Sequence, residues 1–195
     1  MHLPELPPPA ELERICKGLA TLDAIVCEDW EFRYYSFNAK WNPGKERMAS
    51  MRNGSGDEWF LVFSGGLAFL KCFWHEYPPQ KAAEVFAGLP AALAPLMKEP
   101  AFEVGLVTFG GFHDGERWTL RGDGAPMVDE LERLSGDPRA YRELATSYYE
   151  RDLPLASVEH VLAGAPLNAS VLEALGSERT LQGLRSDLDE IAYGA

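Results

Sequence analysis

The sequence predicts an α+β fold, in which an antiparallel, aromatic-rich sheet is preceded and covered by helices and followed by an all-helical C-terminal third. Three observations predict it. Of the 22 aromatic residues (10 Phe, 5 Trp, 7 Tyr), 13 fall between positions 30 and 77, and short-spaced aromatics favour strands. Turn signals punctuate the strand-like text at Asn53-Gly54, Ser64-Gly65-Gly66 and Asp114-Gly115, where residues that tolerate positive φ permit tight hairpins. Beyond Gly122-Asp123-Gly124, apolar residues recur every three or four positions to the end of the chain.

Residues 3–9, LPELPPP, favour an extended polyproline arm. Leu12, Ile15, Leu19, Leu22 and Val26 then mark one face of an amphipathic helix. Strands are expected near 31–38, 46–52, 57–64 and 66–76, the last three as a meander. Trp59, Leu61 and Phe63 alternate with Phe60 and Val62, and Leu70, Cys72 and Trp74 alternate with Phe69 and Phe73. Two apolar faces require cover on both sides of the sheet. Residues 80–98 read as a covering helix that Pro90 and Pro95 kink or split. A hairpin of strands 104–113 and 116–121 follows, in which Gly105, Gly110 and Gly111 weaken the first strand or admit a close backbone. Asp137-Pro138 opens one of the later helices as N-cap and first residue. The organisation expected is one domain over 1–195, with an α+β core to 121 and a helical subregion from 125.

The formal net charge is −12. Residues 101–195 hold 8 arginines, no lysine and 17 acidic residues. Such a body repels phosphate backbones, which argues against nucleic acid, and steers a basic protein partner toward it. No apolar run approaches the ~20 residues that span a bilayer, so no membrane is expected. The polar, proline-rich start lacks the order of a secretory signal, and three cysteines (Cys16, Cys27, Cys72) form no disulfide framework. Both place the chain in the cytoplasm.

Several motifs fail on geometry. Cys72 and His75 stand three apart on an expected strand and point to opposite faces, so they form no nucleophile pair. His75-Glu76 is followed by Pro78 and Pro79, not by a second helical histidine, so no zinc is expected there. Asn53-Gly54-Ser55-Gly56 precedes a strand and cannot cradle phosphate at a helix N-terminus. No cofactor is expected. The segment 33–52 is basic (Arg33, Lys40, Lys45, Arg47, Arg52) with Tyr34, Tyr35, Phe37 and Trp41 interleaved, which is stacking-surface chemistry if the rings face solvent and plain core if they do not.

The candidate site is polar. If 50–52 pairs with 57–60 across the turn, and 66–76 returns alongside, then Arg52, Asp57, Glu58, His75 and Glu76 converge at one end of the sheet. Such a set can perform acid–base chemistry, grip a polar ligand, or form a solvated ionic rim. The run Ser50-Met51-Arg52-Asn53-Gly54-Ser55-Gly56-Asp57-Glu58, with Lys71 and His75-Glu76, resembles a pattern in an uncharacterised family of bacterial cytosolic proteins. The resemblance covers most of the chain, implies bacterial origin, and brings no activity or ligand.

Two functional readings follow. The first is a non-enzymatic interaction protein that meets a protein partner, an immunity-type toxin neutraliser being one case by analogy. The alternative is a small-molecule binder or hydrolase-type enzyme that uses the five polar residues.

Overall fold

The computed structural model describes residues 5–194, so part of the expected N-terminal arm lies outside the described residues. One six-stranded antiparallel sheet runs in chain order: β1 (Tyr35–Asn38), β2 (Arg47–Arg52), β3 (Glu58–Ser64), β4 (Leu67–Phe73), β5 (Phe109–His113) and β6 (Trp118–Gly122). The α+β architecture is the one the sequence predicts. The 46–76 stretch is a three-stranded meander, to which β1 adds on one side and the β5–β6 hairpin on the other.

Alternation along the strands builds two cores. Trp59, Leu61, Phe63, Leu70 and Cys72 face a large cluster with the helices α1 (Pro9–Val26), α4 (Val128–Leu134), α5 (Pro138–Tyr148), α6 (Leu155–Leu162) and α8 (Arg185–Ile191). Phe60, Val62 and Phe69 face a smaller cluster with Val85, Phe86, Leu93, Leu96 and Phe102. Full burial of each such side chain is worth about 1.5–3 kcal/mol. Helix α1 lies close against α6: a Cβ on Gly18 would sit 2.9 Å from the Leu162 Cα. Gly110 serves the sheet similarly, since a Cβ there would approach the Leu70 carbonyl to 2.6 Å. The expected close approach at this glycine is therefore real.

The elements differ from expectation where proline or local capping wins. The 80–98 helix is only the turn α3 (Ala82–Val85) and a 3₁₀ run, Ala91–Lys98, separated at Pro90. Residues 104–106 form a 3₁₀ turn rather than the start of β5. Trp30–Phe32 is a 3₁₀ turn, so β1 begins only at Tyr35; a further turn, α2 (Trp41–Gly44), links β1 to β2. Asn53-Gly54 is not a two-residue turn. The Asn53 side-chain oxygen accepts from the backbone N–H of Ser55 (2.8 Å) and Asp57 (3.1 Å) and stabilises a longer loop. Asp114 does the same for Glu116 and Arg117, both at 2.9 Å. Gly65-Gly66 is the tight turn expected, with both residues at positive φ. The short helix α7 (Ala169–Ala174) completes the helical third.

Two buried carboxylates tie the helices to the sheet. Asp23, on α1, accepts from the Tyr35 N–H (2.6 Å), the Tyr149 hydroxyl (2.8 Å) and the Tyr141 hydroxyl (2.7 Å). The Tyr149 hydroxyl in turn accepts from the Tyr34 N–H at 2.8 Å. Glu130, on α4, accepts from the hydroxyls of Tyr34 (2.9 Å) and Tyr35 (3.1 Å), from the Trp59 indole N–H (3.0 Å), and from the Arg133 guanidinium. Burial pushes the Asp23 carboxyl up to about 6, partly offset by the donors of Tyr35, Tyr141 and Tyr149.

A carboxyl raised in the folded state binds its proton more tightly there than in the unfolded chain. Its contribution is therefore most favourable below the unfolded value and is lost as pH rises toward the folded value. We expect the stability of the wild-type chain, relative to Asp23→Asn, to fall by about 2 kcal/mol between pH ~4 and pH ~6. Urea unfolding of both proteins across that range measures it. A difference independent of pH contradicts the assignment.

Candidate functional site

The five candidate polar residues stand at one end of the sheet, but they do not form one constellation. Arg52 pairs with Glu58 in the β2–β3 register, and Glu58 with Phe73 in the β3–β4 register. Beyond Phe73 the strand gives way to a turn, Trp74–Tyr77, closed by a 3.0 Å backbone hydrogen bond. Asp57 reaches across to that turn. Its Oδ1 accepts from the His75 N–H at 2.9 Å and lies 2.8 Å from the His75 Nδ1, while its Oδ2 accepts from Asn53 Nδ2 at 2.6 Å. Burial raises the Asp57 pKa, but the His75 N–H, the His75 ring and the Asn53 amide outweigh it and hold the carboxyl below its ordinary value. His75 remains exposed, and the loop beside it turns through Gly56 at a φ of +102°, a conformation that L side chains rarely adopt.

Glu58 belongs to a different set. It accepts from Lys71 Nζ at 2.9 Å. Lys71 is fully buried, with its ammonium 5.6 Å from the Phe60 ring centroid and 5.5 Å from that of Phe73. A buried ammonium needs such a partner, because leaving it unpaired costs several kcal/mol. The Arg52 guanidinium lies over two rings, 5.8 Å from Trp30 and 6.0 Å from Phe60. Glu76 is exposed in the turn and makes no side-chain hydrogen bond among the described residues. The structure thus brings Asp57 to His75, gives Glu58 to Lys71, lays Arg52 on aromatic rings, and leaves Glu76 in solvent.

Among the remaining basic and aromatic residues of 33–52, Lys40 and Lys45 are exposed and Trp41 packs against the smaller core. Tyr34, Tyr35 and Phe37 are buried. Arg33 pairs with Asp187 at 2.6 Å, and Arg47 reaches Glu13 with two bonds of 3.1 and 2.6 Å. Burial raises the Cys16 and Cys72 thiols well above their ordinary range. Among the described residues, no group of three or more His, Cys, Asp and Glu side chains is placed to hold a metal ion.

One surface escaped the sequence reading. Residues 28–32, Glu-Asp-Trp-Glu-Phe, are all exposed, with Trp30 55% and Phe32 57% accessible. The turn is anchored beneath by Arg33, whose guanidinium donates to the carbonyls of Cys27 (2.9 Å) and Glu28 (2.9 Å). Phe32 falls within the strand expected over 31–38, and Trp30 stands just before it. The acidic residues between and before them are the signal that the rings stand in water.

Compared with known proteins, the chain matches no family model, no curated protein and no solved structure.

The geometry predicts unequal effects at the loop. Asp57→Ala leaves the His75 backbone N–H without its partner and is expected to cost about 1–2 kcal/mol. His75→Ala keeps that bond, removes an exposed ring and its contact with Asp57, and is expected to cost less than about 0.5 kcal/mol. Chemical unfolding of the two variants gives the order directly; equal losses contradict it.

Proposed function

We propose that this protein works by binding a protein partner, without catalysis, and that the 28–32 turn is its docking element. The exposure of Trp30 and Phe32 carries the proposal. Both rings stand on a rigid turn, and large aromatics held in place are the residues that dominate interface energetics. Arg52, another residue type common at such hot spots, flanks them and already occupies one side of the Trp30 ring. Glu28, Asp29 and Glu31 surround the rings with negative charge, and the whole chain carries −12. That combination favours a basic partner, whose lysines and arginines can meet both carboxylates and ring faces. An immunity-type neutraliser of a basic toxin is one instance of this chemistry.

The polar residues at the end of the sheet support the enzymatic reading less. Both carboxylate oxygens of Asp57 are engaged in holding the loop, and Glu58 neutralises a buried lysine. Neither is poised to exchange a proton with a bound molecule.

Capture from a lysate of the source organism, followed by mass spectrometry, tests the proposal. The wild-type chain is expected to retain a basic protein. Trp30→Ala/Phe32→Ala is expected to lose it at least about 100-fold in affinity, as removal of two central anchors implies, while its unfolding midpoint is unchanged. Retention by the double variant, or no specific capture by the wild type, counts against the reading.

A further inference from the structure

The sheet has two outer edges, and the chain treats them differently. At β1 the edge is occupied: the Tyr35 N–H donates to Asp23 at 2.6 Å, and just beyond the strand the Ala39 N–H donates to the Glu190 carbonyl at 2.9 Å. At β6 it is not. Hydrogen bonds from the Asp114 N–H to the Arg117 carbonyl (3.2 Å) and from the Asp123 N–H to the Thr108 carbonyl (3.1 Å) fix which residues face β5. Antiparallel alternation then turns the N–H and C=O groups of Trp118 and Leu120 outward. Among the described residues none hydrogen bonds to them. The strand carries no proline or lysine to block pairing. Its one charged side chain, Arg121, is turned onto the sheet's smaller core, where it donates to the carbonyls of Val85 (2.8 Å) and Ala87 (2.9 Å). Beside the edge, Leu6, Pro8, Trp118 and Leu120 line an open cleft of about 460 Å³.

We propose that a second copy of this chain fills that edge, so that two β6 strands pair antiparallel about a two-fold axis and join two sheets into one. The strand's own sequence selects the register. Pairing centred on Thr119 sets Arg117 opposite Arg121 of the other copy. Pairing centred on Arg121 sets that arginine opposite itself. Pairing centred on Leu120 sets Arg117 opposite Asp123, and Trp118 opposite Gly122. Only the last register among these three replaces like-charge repulsion by an ion pair. It also places the bulkiest side chain of the strand against the residue with none. Because a two-fold axis repeats every contact, both complementary pairs occur twice. The net charge of −12 on each copy opposes approach, and salt screens that long-range repulsion. Association is therefore expected to strengthen when salt rises from about 20 to about 150 mM.

Sedimentation equilibrium on the full chain, from about 1 to about 200 µM, reads the assembly directly. The wild type is expected to move from one chain mass to twice that mass within the range. Leu120→Lys, which places a charge at the two-fold axis, is expected to stay at one chain mass. Arg117→Asp and Asp123→Arg alone each bring like charges together and weaken the dimer at least about tenfold, whereas the two combined restore it. Circular dichroism establishes that each variant is folded. A wild-type chain that remains at one chain mass throughout overturns the proposal. So does a folded Leu120→Lys variant that still dimerises, or a charge-swapped pair that gives no rescue.

Discussion

The structure depends on two buried carboxylates. Asp23 and Glu130 sit between the sheet and the helices that cover its larger face, and neither reaches solvent. Between them they accept hydrogen bonds from Tyr34, Tyr35, Trp59, Arg133, Tyr141 and Tyr149. These donors come from β1 and its approach, from β3, and from helices α4 and α5 or their ends. Apolar burial brings the layers together but is indifferent to small slides. A carboxylate in low dielectric is not, because each donor that drifts away leaves a charge or a polar group unpaired at a cost of several kcal/mol. The carboxylates therefore fix the relative placement of layers whose contact the hydrophobic effect drives.

That placement determines what the surface offers. Tyr34 and Tyr35 are held by the network, and Arg33, next to them, is clamped by the carbonyls of Cys27 and Glu28 and by Asp187. The 28–32 turn is thus fixed at both ends. Its rings are presented on a hydrogen-bonded support, the kind of preorganisation on which the docking proposed above relies. At the same end of the sheet the Asn53–Asp57 loop is locked to the Trp74–Tyr77 turn. Both features are held in place by hydrogen bonds to neighbouring backbone and side chains.

Much of the sheet was legible in the sequence. Alternation of Trp59, Leu61 and Phe63 with Phe60 and Val62 identified both faces of β3, because strand period is set by backbone geometry alone. The juxtaposition of Asp57 and His75 followed from strand direction and turn position. The turn types did not follow, since Asn53 and Asp114 had a choice between positive φ and accepting backbone N–H groups, and the second prevailed. The split of 80–98 was legible from Pro90. The partners of charged residues were not. Nothing local distinguishes Asp23 on an amphipathic helix, or Glu130 in a run of acidic residues, from their solvated neighbours. Lys71 likewise carries no local sign that Phe60, Phe73 and Glu58 surround it. Such assignments need contacts between residues distant in the chain.

The most direct test of the central role of the carboxylates is the unfolding free energy of Glu130→Gln at neutral pH. The substitution keeps shape and volume but turns an amide NH₂ toward tyrosine, tryptophan and arginine donors. Loss of about 2–4 kcal/mol is expected. A variant within about 0.5 kcal/mol of the wild type would contradict the account, because the layers would then be held by apolar packing alone.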